Sequence, residues 1–589
     1  MTDSKLYYKQ QLDGYAIEVA RLKKQLTGLS LFRLLVFVTT CLVVYFTFDT
    51  WQVATIVGIM GLAGFLYLLS KYTDLKAEKD LNQALVAINE EELKIASGDF
   101  HDRDDGSEFL DPSHFYSLDI DLFGRGSFFQ FTNRSVTKEG TKLFANTLTA
   151  NDTSAIIDRQ ETIRELASKP KWRQHFSAIA SLIAIETPAM HITQWLSTYK
   201  SFLPATFKWL PLAFSIGSVV VFTLMLFSFV SPLVLVYWML LGLGITGRYV
   251  KKTNALSVKT SKIKDTFRQY SKLLNQIENE TFTAKLLLKK QKQIQSENKK
   301  ASAIFSEFSK YIDALDNRNN IISAIFGNGF FLWDVKQTYK IEQWIASHSN
   351  TVTHWFEVVS FFDAYNSLGN YAFNHSQFVF PEISADKAVI KATDLGHPLL
   401  DSNKRVDSNL QINNQEFFIV TGANMAGKST FLRTVSLHIV MANVGLPICA
   451  KASTYSPVKL ITSMRTNDSL TDDSSYFFSE LTRLKFIVDT IQEEPYFIIL
   501  DEILKGTNST DKAIGSRKFV EKLVASNATG IIATHDLSLC EIEQELSDVK
   551  NYYFDAEIIN DELHFDYTLK QGVCQNMNAS FLLKKMEIV

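Results

Sequence analysis

Eight consecutive residues constrain one end of this chain more than any other feature. Gly422, Ala423, Asn424, Met425, Ala426, Gly427, Lys428 and Ser429 fill the pattern G-x-x-x-x-G-K-[ST], directly after the apolar run 417–420 and just before a helical pattern. Strand, loop and helix in that succession are the context a phosphate-binding loop requires. The glycines let the backbone curl so that successive N–H groups point at phosphate oxygens, and the positive end of the following helix adds to the anion's stabilisation. Lys428 supplies charge to the terminal phosphates and Ser429 offers a hydroxyl to Mg2+. The segment from Gly422 to Thr430 is therefore the expected nucleotide-binding stretch.

Downstream, the apolar run 496–500 ends in Asp501 and Glu502, and a third apolar run, 529–534, delivers His535. Two adjacent carboxylates at a strand end suit a divided task. Asp501 can hold Mg2+ together with Ser429, and Glu502 can orient and deprotonate the water that attacks the terminal phosphate. His535 is placed to sense or polarise that phosphate. The expected catalytic set is Glu502, His535 and Lys428. Three such strands with helices between them predict an α/β domain with its ligand at the carboxyl ends of a parallel sheet.

With 589 residues the chain is long enough for at least three parts, and a net charge of −3 gives no global case for a polyanionic partner. Cys41, Cys449, Cys540 and Cys574 lie far apart without a C-x-x-C pair, which argues against a zinc site or a disulfide framework and for a cytosolic catalytic part. The apolar residues cluster in blocks. Residues 34–48 and 50–70 carry no charge and read as a transmembrane hairpin, with Arg33 able to snorkel and Trp51 and Tyr67 suited to the interfaces. The uncharged block 209–247 has room for two more spans. Lysines and arginines flank both blocks, which keeps the flanks on the cytoplasmic side. A secretory signal peptide is not expected, because about thirty mostly polar residues precede the first run.

Residues 251–300 contain no Pro or Gly and repeat apolar side chains at Leu256, Ile263, Phe267, Tyr270, Leu274, Ile277, Ala284 and Leu288, which predicts one long helix. Residues 248–300 hold 14 Lys and Arg against four Asp and Glu. That excess suits a nucleic acid or an anionic lipid surface, and equally a solvated lever face beside a membrane.

The loop with its flanks, Thr421 to Thr430, resembles the T-G-P-N-M-G-G-K-S-T loop of the MutS family of mismatch-repair ATPases. His397 and Pro398 resemble that family's His-Pro pair, Asp501 to Thr507 with Asp511 its D-E-x-x-x-G-T segment, and Ala533 to Asp536 its A-T-H segment. The stretch from Ser475 to Leu481, preceded by Asp468, is similar to the signature that completes the neighbouring subunit's ATP site. Asn133 to Gly140 resemble the start of the family's helical core, and Phe362 to Leu368 the helix that leads into its ATPase.

The resemblance implies ATP and Mg2+ as cofactors, a homodimer with Ser475 of one copy reaching the other's nucleotide, and DNA as a partner. Together with the uncharged apolar blocks it divides the chain. An N-terminal cytoplasmic helix (1–30), a transmembrane hairpin (31–71) and a linker helix (72–111) come first. The first part of the helical core (112–204), a second transmembrane hairpin (205–247), lever and core helices (248–375) and the ATPase domain (376–589) follow. The expected fold is thus an α/β P-loop ATPase domain of the ABC type behind an all-α core and lever domain with two transmembrane helical hairpins, in a multi-pass membrane protein whose ATPase faces the cytoplasm. No counterpart of the family's mismatch-reading domain is found in the first 110 residues, and Asp473 stands where the family's signature has Gly. Ala423 and Ala426 replace Pro and Gly in the loop, which is tolerable where neither needs a positive φ. A membrane ATPase of this fold that moves its own spans or a protein partner without binding DNA is the alternative.

Overall fold

The computed structural model describes residues 3–182, 188–295, 299–384, 387–465, 476–559 and 562–575. A mostly helical N-terminal region is followed by an α/β region with two mixed sheets.

Two helices of 44 and 46 residues, α1 (Asp3–Phe46) and α2 (Trp51–Ala96), pack as a hairpin. Both are long and apolar enough to cross a membrane. Their outer halves expose Leu34, Phe37, Leu42, Ile56, Ile59 and Leu66, whereas Tyr8, Leu22, Leu85 and Ile95 nearer the other end are buried. Both helices run without a break through positions 30/31 and 71/72, and α2 stops at Ala96, so residues 97–111 are irregular apart from one turn. Arg33 lies over the rings of Phe65 and Tyr72, at 5.7 and 4.9 Å.

The helical core begins with α3 (Phe128–Thr132), α4 (Lys138–Thr149), α5 (Ile156–Ala167), α6 (Pro170–Ser181) and α7 (Ala189–Thr198). The apolar block then forms α8 (Leu210–Leu226) and α9 (Pro232–Gly247), of 17 and 16 residues. Next come α10 (Val250–Asn279), α11 (Lys285–Lys292), α12 (Ala301–Asp316), α13 (Ile321–Phe331) and the 42-residue α14 (Trp333–Asn374). The single long helix predicted over 251–300 is therefore two helices. Its heptad positions Leu256, Ile263, Phe267, Tyr270, Leu274 and Ile277 are buried on α10 as the spacing requires. The break comes from elsewhere in the chain. Glu165 of α5 accepts the backbone N–H of Thr283 and Ala284, and Phe282 turns inward against Trp172 and Phe362. Tertiary contacts override helix propensity here.

The α/β region opens with β1 (Glu382–Ile383), β2 (Ala388–Leu395) and β3 (Ser408–Asn413), then β4 (Phe417–Gly422), α15 (Lys428–Val444), β5 (Ala452–Tyr455) and β6 (Lys459–Ser463). It continues with α16 (Tyr476–Thr490), β7 (Tyr496–Asp501), α17 (Ser509–Ala525), β8 (Thr529–Ala533), α18 (Ile542–Glu545), β9 (Val549–Phe554), β10 (Glu557–Ile559), β11 (Glu562–His564) and β12 (Lys570–Gln571). Six strands form the main sheet in the order β12-β9-β4-β8-β7-β6, with β9, β4, β8, β7 and β6 parallel and β12 antiparallel at one edge. A smaller sheet, β1-β5-β2-β3, was not legible in the sequence and stands beside the main one. Every residue of β4 and β8 is buried, as expected for central parallel strands covered on both faces.

Candidate nucleotide site

At the carboxyl end of β4 the chain turns through Gly422, at φ +150°, and Gly427, at φ +107°, before α15 begins at Lys428. A Cβ on Gly422 would stand 2.7 Å from the carbonyl oxygen of Phe554, so a side chain there would collide with backbone. Met425 is the one residue between the two glycines with a positive φ, and it is 78% exposed. Ala423 and Ala426 avoid that region of φ, which explains why alanine is accommodated at both.

Lys428 is buried and its Nζ donates to the carbonyl oxygens of Gly422 (2.8 Å) and Ala423 (3.0 Å), with His535 Nε2 at 3.3 Å. Burial holds its pKa below the usual lysine value. Ser429, in the first turn of α15, donates to Asp501 Oδ2 at 2.7 Å, which ties the loop to the end of β7. Burial raises the Asp501 carboxyl. Glu502 follows at φ +49°, its N–H bonded to the Ala533 carbonyl, and Oε1 meets His535 Nε2 at 2.9 Å. That hydrogen bond depresses Glu502 to about 2. Thr534 is held by the Val420 carbonyl, so β4, β7 and β8 fix the two halves of the Glu502–His535 pair relative to the loop.

The turn after Glu502 is propped from α16. The buried carboxylate of Glu480 accepts the backbone N–H of Leu504 and Lys505, and Gly506 lies where a Cβ would come within 2.8 Å of Phe477 Cβ. Ser475 and the acidic positions Asp468 and Asp473 lie outside the described residues. Of the expected site residues that the structure describes, Gly422 to Thr430, Asp501, Glu502 and His535 are brought together.

A cavity of about 560 Å³ opens in front of the loop. One wall is Lys428, Ser429, Thr430, Glu502 and His535; the other comes from the end of β2 and the loop after it, with Leu395, His397, Leu400, Arg405 and Val406, from Phe554 at the end of β9 and from Tyr567. Burial holds His397 near 4, so its ring is neutral around pH 7. A wall that carries the rings of His397, Phe554 and Tyr567 beside a glycine-rich strand-to-helix turn suits a flat nucleobase. Sequence reasoning picked out His397 but missed Arg405, Val406, Phe554 and Tyr567. Phe554 carried one signal, its place at the end of an apolar strand; the others sit in unpatterned loops.

Residues 418–585 match the family model described as MutS domain V. The chain is similar to the MutS protein homolog 4 of Homo sapiens, 29% identical over 256 residues that cover 41% of this chain and 26% of that protein. It is also similar to the DNA mismatch repair protein MutS of Persephonella marina, 32% identical over 241 residues (40% of this chain, 27% of the relative). A third relative is the protein of the same name in Methanococcoides burtonii, 30% identical over 230 residues (38% and 26%). The chain spans about a quarter of the length of these curated relatives.

Proposed function

Because the chain belongs to the MutS family through its C-terminal domain, we propose that it is a membrane-anchored P-loop ATPase that works as a homodimer and acts on DNA, mismatched or branched. The observation that carries the ATPase reading is the convergence of Lys428, the Ser429–Asp501 pair and the Glu502–His535 pair at the ends of three neighbouring strands. Ser429 Oγ and Asp501 Oδ2 place two hard oxygen donors side by side, which fits Mg2+, and the backbone of Gly422 to Thr430 with Lys428 fits a triphosphate. A bound Mg2+ supplies charge neutralisation at the phosphate oxygens. Lys428 exchanges the carbonyls of Gly422 and Ala423 for phosphate oxygens. Glu502 takes a proton from the attacking water while the bond from the terminal phosphorus to its bridging oxygen breaks, and His535 donates to the departing charge. The Glu502→Gln protein should bind ATP yet turn it over at least about a hundredfold more slowly; unchanged turnover refutes the role.

The exposed apolar side chains of Met425, Phe478 and Ile514 on the ATPase region support a face that a second copy covers. DNA rests on the relatives, two of which carry DNA mismatch repair in their names, and on the basic segment 248–300. Membrane attachment rests on the length, composition and exposure of α1 and α2.

One observation favours the alternative, in which the ATPase drives its own membrane helices or a protein partner and binds no DNA. Within the basic segment, Lys264 and Arg268 are engaged by Asp313 and Asp316, Lys299 by Glu307, and Lys290 lies over Phe361, which leaves less free positive charge than the sequence suggests. DNA titrations at several salt concentrations separate the two. Affinity that falls steeply with salt supports the DNA reading, and absence of binding at low salt supports the alternative.

A further inference from the structure

The second apolar block is not a pair of helices but a unit of three. The third member, α13, lies about 75 residues further along the chain than α9 and packs on both α8 and α9. Contact is close: a Cβ on Gly242 of α9 would stand 2.4 Å from the carbonyl oxygen of Gly329 in α13, and one on Gly329 would stand 2.4 Å from Met239 Cγ. Small residues at a helix crossing are how apolar helices associate where water drives nothing together. Ser218 of α8 donates to the Phe330 carbonyl at 2.6 Å and receives the indole N–H of Trp238 at 2.8 Å. The segments that flank α13 are tied by an ion pair of Arg318 with Asp334 (3.2 Å), and Asn328 accepts the Asp334 N–H. Between Arg318 and Asp334 no residue is charged.

Three observations say how deep this unit goes. At 1.5 Å per residue, α8 and α9 are only about 25 Å long, against a hydrocarbon thickness of about 30 Å. Their lower parts are taken up by α13, because Ser218, Met239 and Gly242 are its contacts. Above Ser218, α8 has eight more residues, so it rises only about 12 Å past this contact with α13. The connection between them is itself apolar: residues 226–232 carry no charge, and Phe227 and Phe229 are 71% and 77% exposed. The tip of the first hairpin contrasts with this, holding Thr47, Asp49 and Thr50.

We infer that α8, α9 and α13 form a re-entrant element that enters the bilayer from the cytoplasmic side and returns, its Phe227–Phe229 tip ending inside the hydrocarbon, with α13 embedded at the interface beside it. This rests on the reading of α1 and α2 as membrane spans. The occupant of the exposed surface is lipid and not a protein partner, because each of the three packed helices turns an uncharged apolar face outward, so the surface covers the whole unit rather than one patch of it. Leu212, Ile216, Val219 and Val220 line the outer face of α8 and Leu233 and Leu240 that of α9, and Ile321, Ile322 and Phe326 extend the same surface onto α13. Lys208, Arg248, Lys251 and Lys252 mark the water side at the base.

The test is cysteine accessibility in the full-length protein in sealed membranes, in a Cys41→Ser background, with Asp49→Cys, Phe229→Cys, Phe326→Cys and Lys259→Cys. A membrane-impermeant maleimide is applied from either side, and a fluorophore at each position is read against lipids carrying quenchers at the interface or at the bilayer centre. We expect position 259 to label from the cytoplasmic side and position 49 from the opposite side. Position 229 should label from neither and be quenched from the bilayer centre, and position 326 should be quenched from the interface. Labelling of 229 from the side opposite to 259 makes the block a spanning hairpin and overturns the inference while leaving the protein in the membrane. Labelling of 49, 229 and 326 all from the side of 259, without lipid quenching, overturns the membrane reading itself. Unaltered ATP binding by the variants shows that each has folded.

Discussion

Glu502 and His535 hold each other in a state that suits neither proton transfer nor phosphate contact. A carboxylate kept near 2 by a hydrogen bond is a weak base at neutral pH, so the role proposed for Glu502 requires His535 to turn to another acceptor. The His535→Ala protein should therefore show two separable changes. Its turnover should drop at least about tenfold for want of a donor to the phosphate. The acid limb of its pH profile should move upward toward the ordinary carboxylate range, because the group that depresses Glu502 is gone. A rate loss with an unmoved acid limb would mean that His535 does not set the protonation of Glu502. Lys428 makes a different prediction. It is buried, and in this structure it satisfies loop carbonyls, so Lys428→Ala should cost nucleotide affinity itself by at least about tenfold, the value of one charge-assisted contact. Equal affinity in a nucleotide titration would count against the loop assignment.

Local and distant causes separate at the level of elements. The glycine turn between β4 and α15 was legible because its determinants, Gly422, Gly427 and Lys428, sit within seven residues of each other and act through their own backbone. The strands ending in Asp501 and before His535 were legible as short apolar runs. The end of α10 was not, since Glu165, more than a hundred residues earlier, takes the N–H groups that would otherwise continue the helix. Helix α13 was passed over because an uncharged helix of eleven residues fits a buried core as well as a lipid-facing surface. The junction of α4 with α14 is a further distant cause. Asp363 of α14 is fully buried and accepts the N–H groups of Val136 and Thr137 and the Thr137 hydroxyl, where α4 starts. Burial lifts its carboxyl from 3.8 to about 6. The folded protein keeps that proton to a higher pH than the unfolded chain does. This contribution to stability is therefore complete below about pH 4 and is lost as pH rises through 6, about 3 kcal/mol over the interval. Unfolding of the parent and the Asp363→Asn protein, compared between pH 4 and 7, should show a slope in the parent that the variant lacks.

Across the whole molecule, one helix and one buried charge cluster connect the exposed apolar helices to the candidate nucleotide site. The 42 residues of α14 extend about 63 Å, from Leu332 and Val335, packed with Phe207 and Phe214 at the base of the apolar unit, to His375, just before the smaller sheet. Near that second end the first hairpin is clamped. Glu92 of α2 is 4% exposed, pairs with Arg134 at 2.5 Å, and accepts the amides of Asn370 and Asn374 of α14, while Tyr8 of α1 donates to Asn374 at 2.7 Å. Arg134 keeps Glu92 ionised there, its pKa below the usual carboxylate value in spite of burial. Removing one member of a buried pair leaves the other uncompensated, which is worth about 3 to 5 kcal/mol. Glu92→Ala should therefore destabilise the protein by that amount, and Arg134→Ala made together with it should recover part of the loss, since the guanidinium that Glu92 pairs is then gone, while the buried Arg173 beside it still lacks the carboxylate. If hydrolysis works on the membrane helices through this clamp, the double variant should still bind nucleotide, whereas protease cleavage of the α1–α2 hairpin, slowed or hastened by ATP in the parent, should no longer respond to it. Additive costs in the cycle would show that the hairpin is held by packing alone, and an ATP response that survives the double variant would place the coupling in α14 instead.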